Sequence, residues 1–228
     1  MNILALDCAV TRISLAVATE SKFISETYDI GMRQSEILVP VIDEILKKAE
    51  LKPSELNATA LTIGPGSFTG LRLGISALKA IELAYNVPVY GISSLETYAY
   101  PYESLDCPVI SCIDANKDKF YCRISCDNGN KILLEDGDWE LNNIIEAAEE
   151  LDKAIICGPD AANLYEKLCT ALPQKKYLLP ATQAMTAESL ISITKKMIES
   201  GRPALQDYDG PVYLRASEAE LKLNSTIS

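Results

Sequence analysis

The sequence has no histidine, and that absence removes whole classes of chemistry. Ser/His/Asp and Cys/His arrangements cannot be built without it, so a nucleophilic enzyme would need lysine as its base. Tryptophan is nearly absent too, Trp139 being the single one, and one such ring makes no stacking platform for nucleotide bases. No Cys-x-x-Cys occurs among the seven cysteines, Cys8, Cys107, Cys112, Cys122, Cys126, Cys157 and Cys169. Most of them fall in apolar, strand-like runs, where they pack as small hydrophobes in the reduced state. Cys122 and Cys126 share one face of an alternating pattern, without the spacing of a zinc knuckle. Positive charge is scarce: the net charge is −11 and the pI about 4.6, with lysines in scattered pairs. A surface that grips a nucleic-acid backbone needs clustered Lys and Arg, so strong direct binding of RNA or DNA by this chain alone is not expected. Long apolar runs are also missing. Nothing approaches the roughly 18 apolar residues of a membrane span, and Asp7 interrupts the first hydrophobic stretch before it reaches signal-peptide length. The expected location is the cytoplasm, with no membrane contact.

What is present centres on the run Leu61–Leu83, L-T-I-G-P-G-S-F-T-G-L-R-L-G-I-S-A-L-K-A-I-E-L. An apolar strand pattern meets glycines and a proline, and apolar residues then return at helical spacing, which predicts a strand, a tight loop and a helix. Gly64 and Gly66 permit backbone geometry closed to other residues, Pro65 stiffens the turn, and Ser67 or Thr69 can cap the helix. Free N–H groups at such a helix start can receive an anion, and with Asp7 nearby Gly64, Gly66, Ser67 and Thr69 form a candidate phosphate loop. The established fingerprints do not fit. The P-loop lysine is absent, and Thr69 stands where the third glycine of a dinucleotide loop belongs. Along the helix, Gly70, Gly74, Ala77, Ala80 and Ala84 are small residues three or four apart beside Leu71, Ile75, Leu78 and Ile81, a pattern that admits a second helix at close range.

At 228 residues the chain fits one large domain or two small ones. Strands are predicted at Asn2–Leu6, Ile13–Thr19 and Lys22–Tyr28, then a helix over Ser35–Leu51 with Ser35 as N-cap, Pro40 inside it, and Ile37, Val41 and Ile45 among its apolar residues. After a strand at Thr59–Ile63 and the central helix come a strand at Val87–Ile92, a helix opened by Ser93 or Ser94, and a linker over Pro101–Pro108. Strands at Val109–Ile113, Lys119–Cys126, Lys131–Glu135 and Lys153–Cys157 follow, with helices over Leu141–Leu151, Ala161–Ala171 and Ala187–Ser200, and an extended Pro211–Arg215. Residues from about Glu218 are expected to be mobile. Each half opens with strands and then alternates, which predicts an α/β protein of duplicated design with parallel crossovers. Asp7 ends the first strand, where a carboxylate could serve an actin-like ATPase or sugar kinase or simply form a turn. Asp114, Asp118, Asp136 and Asp138 border turns without singling out an acid–base pair, and Lys117 and Lys119 lie on a predicted hairpin.

Six segments carry a resemblance: I-L-A-L-D at the start, R-Q-S-E-I-L-V-P-V-I-D-E-I-L, G-P-G-S-F-T-G-L-R-L-G at Gly64–Gly74, I-S-S-L-E, I-D-A at Ile113–Ala115 and the closing P-V-Y-L-R. In this order they resemble the TsaB (YeaZ-like) tRNA threonylcarbamoyladenosine biosynthesis family. The resemblance implies an actin-like ATPase (ASKHA/RNase H-like) fold of two related halves, residues 1–103 and 104–228, with the last helix and tail (about 185–217) packing back on the first half. It also implies a non-catalytic scaffold and activator that works with the catalytic paralogue TsaD and the ATPase TsaE. The complex transfers threonylcarbamoyl from threonylcarbamoyl-AMP to N6 of the adenosine beside the anticodon, in tRNAs reading codons that begin with A. ATP and Mg are then used by the partners, no cofactor is bound by this subunit, tRNA is met only through the complex, and the chain alone forms a homodimer. The implied interface uses the first two long helices, through Ile37, Val41, Ile45, Leu71, Gly74, Ile75 and Leu78. Two positions depart from the family pattern: Gln34 where histidine is common, which would retune the partner surface, and Asn116 where arginine is common, which removes a basic contact unless Lys117 replaces it. The alternative is an ATP-dependent small-molecule kinase or ATPase of the same fold that uses Asp7 and the Gly64–Gly70 loop.

Overall fold

The computed structural model describes residues 1–31, 33–182 and 185–215. Three strands, β1 (Ile3–Asp7), β2 (Arg12–Ala18) and β3 (Phe23–Asp29), form an antiparallel meander. Helix α1 (Gln34–Lys48) then leads through a short turn at Pro53–Glu55 to β4 (Ala58–Gly64), and α2 (Phe68–Tyr85) leads to β5 (Val89–Ser93). Both β4 and β5 are parallel to β1, and the sheet runs β3-β2-β1-β4-β5. After α3 (Ser94–Glu103) the succession repeats with β6 (Val109–Asp114), β7 (Lys119–Cys126), β8 (Lys131–Glu140), α4 (Leu141–Glu149), β9 (Lys153–Cys157), α5 (Ala161–Ala171), β10 (Lys176–Leu178) and α6 (Thr186–Glu199). Its sheet runs β8-β7-β6-β9-β10, the same order element for element. Two mixed five-stranded sheets with helical crossovers constitute the actin-like, ASKHA/RNase H-like architecture.

Alternation along β1 divides the first core. Leu4 and Leu6 point to one face, where Leu38, Val41, Ile42, Ile45 and Leu46 of α1 and Leu78 of α2 meet them. Ile3 and Ala5 point to the other, where Ala187, Leu190, Ile191 and Ile193 of α6 cover them. The second sheet buries Ile110, Cys112, Phe120 and Ile124 against Ile144 of α4 and Leu164 and Leu168 of α5. Leu95 and Ala99 of α3 pack with Val109 and Ile113 of β6, so the last helix of each half lies against the other half's sheet.

Several boundaries differ from the sequence reading. Arg33, not Ser35, is the N-cap of α1, with no side-chain bond to the helix, and Ser35 lies in its exposed first turn. Pro101 lies inside α3 rather than opening a linker. Strand β8 runs on to Glu140 because register shifts opposite Ile124 let it bend and keep pairing. Those shifts also break the expected shared face of Cys122 and Cys126: Ile124 and Ser125 are both buried, and Cys126 is half-exposed while Cys122 is fully covered. Strand β10, three residues long, carries too little pattern to be seen. The segment expected to be mobile from Glu218 lies outside the described residues.

Candidate functional site: the outward face of the first two helices

The Gly64–Gly74 element is organised by close contact with its own chain. Ser67 caps α2, its hydroxyl accepting from Gly70 N at 3.2 Å, and Ser67 N donates to Ala9 O at 2.6 Å. A Cβ on Gly66 would overlap the carbonyl of Ala9, one on Gly70 that of Cys8, and one on Gly64, at φ 124°, that of Val212. These glycines let backbone meet backbone, and the carbonyl of Val212 lies where a side chain at position 64 would stand. Thr69 is exposed on the first turn.

Asp7 is 3% exposed and fully engaged. Its Oδ1 accepts from Ala9 N (2.9 Å) and Thr62 Oγ1 (2.7 Å), and Oδ2 accepts from Thr186 Oγ1 (2.5 Å), the first residue of α6. The carboxylate therefore ties β1, β4 and α6 together. A kinase-like role would need those lone pairs turned toward a ligand. Neighbouring Cys8 is inert: burial first and the Asp7 charge second push its thiol well above the ordinary range.

The residues expected to form a partner surface divide into two sets. Val41, Ile45, Leu71, Gly74 and Leu78 are buried by this chain's own packing, Gly74 facing Leu61 and Leu6 at ordinary contact distance. As direct contact residues they are corrected: sheet-facing positions of an amphipathic helix are used up by the core. Ile37 and Ile75 remain half-exposed. The small-residue stripe splits likewise, since Gly70 and Gly74 face inward, Ala77 is half-buried, and Ala80 and Ala84 face solvent, as does Ser76 outside the stripe. The same two helices also expose large hydrophobic residues: Val39 of α1 is 67% exposed, and Leu83 and Phe68 of α2 are 90% and 42% exposed. Gln34 is corrected too. It is buried, its Nε2 donating to Val10 O at 2.6 Å, so it pins the β1–β2 loop beneath α1 instead of meeting a partner.

The sequence reading has the tail packing back on the first half but names none of its contacts. Leu205 N donates to Val89 O at 2.7 Å and Val212 N to Ile63 O at 2.7 Å, so residues 205–212 run along the flank of α2. Lys79 Nζ reaches the carbonyl of Gln206 at 3.0 Å. Tyr213 then stacks on Phe68 with centroids 5.0 Å apart, and Arg215 forms a two-pronged ion pair with Asp138 (2.7 Å on each side) and donates to Ala115 O at 2.6 Å. Three quoted segments, G-P-G-S-F-T-G, I-D-A and P-V-Y-L-R, thus converge on one strap between the halves; nothing in their periodicity could have paired them.

The remaining candidate acids have structural partners. Asp136 accepts from Ser93 Oγ and from Arg123 (2.9 Å), Asp118 pairs with Lys167 (2.7 Å), and Asp114 accepts from Asn116 N (2.7 Å). Asn116, Lys117 and Asp118 all have positive φ in the β6–β7 turn, a hairpin tip and not an anion cradle. Among the described residues no three His, Cys, Asp or Glu side chains gather as a metal site, and no helix is long and apolar enough to cross a membrane.

Comparison with known proteins matches this architecture. The family model described as TsaD, tRNA N6-adenosine threonylcarbamoyltransferase, matches residues 31–135, which include α1 and α2. The tRNA threonylcarbamoyladenosine biosynthesis protein TsaB of Bacillus subtilis (strain 168) is 28% identical over 97% of both chains. The TsaB protein of Escherichia coli (strain K12) is 28% identical over 98% of both. A solved Pseudomonas aeruginosa structure, described as similar to peptidase YEAZ, superposes with a TM-score of 0.76 at 24% identity, covering 94% of this chain and 99% of that one. The chain is thus similar from end to end to TsaB proteins, and it shares the fold of the YeaZ-like structure in both halves.

Proposed function

We propose that the protein is a non-catalytic scaffold and activator subunit in tRNA threonylcarbamoyladenosine synthesis. It works in the cytoplasm with a TsaD-like catalytic paralogue and a TsaE-like ATPase, which use ATP and Mg. Together they transfer threonylcarbamoyl from threonylcarbamoyl-AMP to N6 of the adenosine beside the anticodon, in tRNAs reading codons that begin with A. The observation that carries this reading is the outward side of α1 and α2, which exposes the small residues Ser76, Ala80 and Ala84 together with the large hydrophobic residues Val39, Phe68 and Leu83. Exposed apolar residues grouped on one face mark a protein-binding surface, and small residues between them let a partner helix approach closely. The similarity to the TsaD model over residues 31–135 supports a partner that carries a like pair of helices. A second copy of this chain fits the same face when the paralogue is absent. The full engagement of Asp7 supports a subunit without catalysis of its own, and the net charge of −11 supports contact with tRNA only through the complex.

The test is gel filtration of the full chain with the TsaD-type enzyme of the same genome. Wild type is expected to co-elute, and Leu83→Asp to run apart from the enzyme with an unchanged melting temperature. Co-elution of that variant at wild-type level would contradict the docking face.

A further inference from the structure

Arg72 is exposed yet held in one place. Its guanidinium carbon lies 3.8 Å from the centroid of the Phe68 ring and 5.8 Å from that of Tyr213, and its Nε donates to Tyr213 Oη at 2.9 Å. Among the described residues only Nε has a hydrogen-bond partner, so the two terminal amino groups form an open fork. We infer that this clamped arginine is the anchor of the docking face and recognises a carboxylate side chain on the TsaD-type catalytic paralogue. The inference rests on the docking reading and names the chemistry by which that face selects its partner.

Three physical points favour a carboxylate on a protein. Two parallel N–H donors match the two oxygens of a carboxylate, and a guanidinium packed on the Phe68 ring and tied to the Tyr213 hydroxyl has already lost most of its rotamer freedom before the partner arrives. The nearby cation, Lys79, is occupied by Glu82 at 2.7 Å and by the carbonyls of the strap, so Arg72 stands alone and not in the cluster that a polyanion requires. Arginine and tyrosine are also the residue types that dominate protein-interface energetics. The paralogue is the occupant to which the match over residues 31–135 points, because the region shared with it contains α1 and α2.

Arg72 is set by the strap as well as by its own helix. Tyr213 lies two residues before Arg215, whose ion pair with Asp138 fastens the strap to β8 of the second half. The second half thereby contributes to a surface that otherwise belongs to the first, and Arg215 acts as a positioning residue.

The experiment is calorimetric titration of the full chain with the TsaD-type enzyme of the same genome, at low and moderate salt. Arg72→Gln should raise Kd about tenfold and flatten its salt dependence. Arg72→Lys should lose nearly as much, since a lysine has no fork to offer. Arg215→Ala should give a smaller loss, with faster amide exchange over residues 205–213 and the same melting temperature. Leu83→Asp, at the other end of α2, reports on docking as a whole. If Leu83→Asp abolishes binding while Arg72→Gln stays within about twofold of wild type, the anchor is wrong and the docking face stands. If wild type itself does not bind, or Leu83→Asp binds normally, the docking reading falls and the anchor with it.

Discussion

Helices α2 and α5 occupy the same place in the two halves, each crossing from the fourth strand of its sheet to the fifth, yet they present different outsides. Both follow a glycine at positive φ pressed against a carbonyl, Gly64 on Val212 and Gly158 on Cys112. Both bury leucines on the sheet, Leu71 and Leu78 in α2, Leu164 and Leu168 in α5. Outwardly they part. The 18 residues of α2 expose Phe68, Leu83 and Tyr85, whereas none of the 11 residues of α5 is an exposed large hydrophobe. The fold needs only what the two helices share. What α2 has in addition lies outside the core, and it is the part from which the proposed docking face is built.

The strongest way to test the shared part is to hollow it out. Leu78→Ala and Leu164→Ala should each cost about 2–5 kcal/mol, read by denaturant unfolding, because both side chains are completely buried in close-packed cores. A cost confined to one of them would break the equivalence of the halves. The unshared part is probed by charge: Leu83→Asp should abolish association with the catalytic paralogue, while Thr170→Asp on the exposed side of α5 should leave it unchanged, both measured by gel filtration.

A third contrast lies at the ends of the equivalent strands β1 and β6. Asp7 and Asp114 each accept an N–H from two residues further on, Ala9 and Asn116, so the turn chemistry is the same. Only Asp7 is buried and also bound by two threonines. Asp7→Asn should therefore destabilise by about 1–3 kcal/mol, and Asp114→Asn by roughly 0.5–1 kcal/mol, in thermal melts. Calorimetry with Mg-ATP should detect no binding to the isolated wild-type chain; micromolar binding lost in Asp7→Ala would restore the kinase alternative.

The smallest effect concerns the edge strand β3. The Lys48 ammonium, and after it the Tyr28 hydroxyl, hold the Glu26 carboxyl below its usual range, and Glu26 in turn raises Tyr28 to about 12. A lowered carboxyl stabilises the fold above its unfolded value of 4.5 and loses that contribution as pH falls through the lower folded value. Lys48→Ala should flatten this acid limb of the stability curve slightly, as befits a solvent-screened pair.

Much of the fold was legible because of its run lengths and period: short apolar runs in the first strands, then helices with leucine and isoleucine every three or four positions. The weak points were physical in origin. A helix wheel shows an apolar stripe without saying which side a sheet will claim, so Leu71, Gly74 and Leu78 read as a partner face when they are core, and Leu83 passed unnoticed at the end of the helix. Glycine spacing suggested a ligand loop because close backbone approach requires the same residue whether the neighbour is a phosphate or the carbonyl of Ala9. The pairing of Tyr213 with Phe68 joins residues far apart in the sequence, and no local pattern encodes it.

Hydrogen–deuterium exchange on the complex with the TsaD-type enzyme compares the two helices in one measurement. Slowed exchange over α1 and α2, with α4 and α5 unchanged, is the predicted footprint. Slowing confined to α4 and α5 would contradict it.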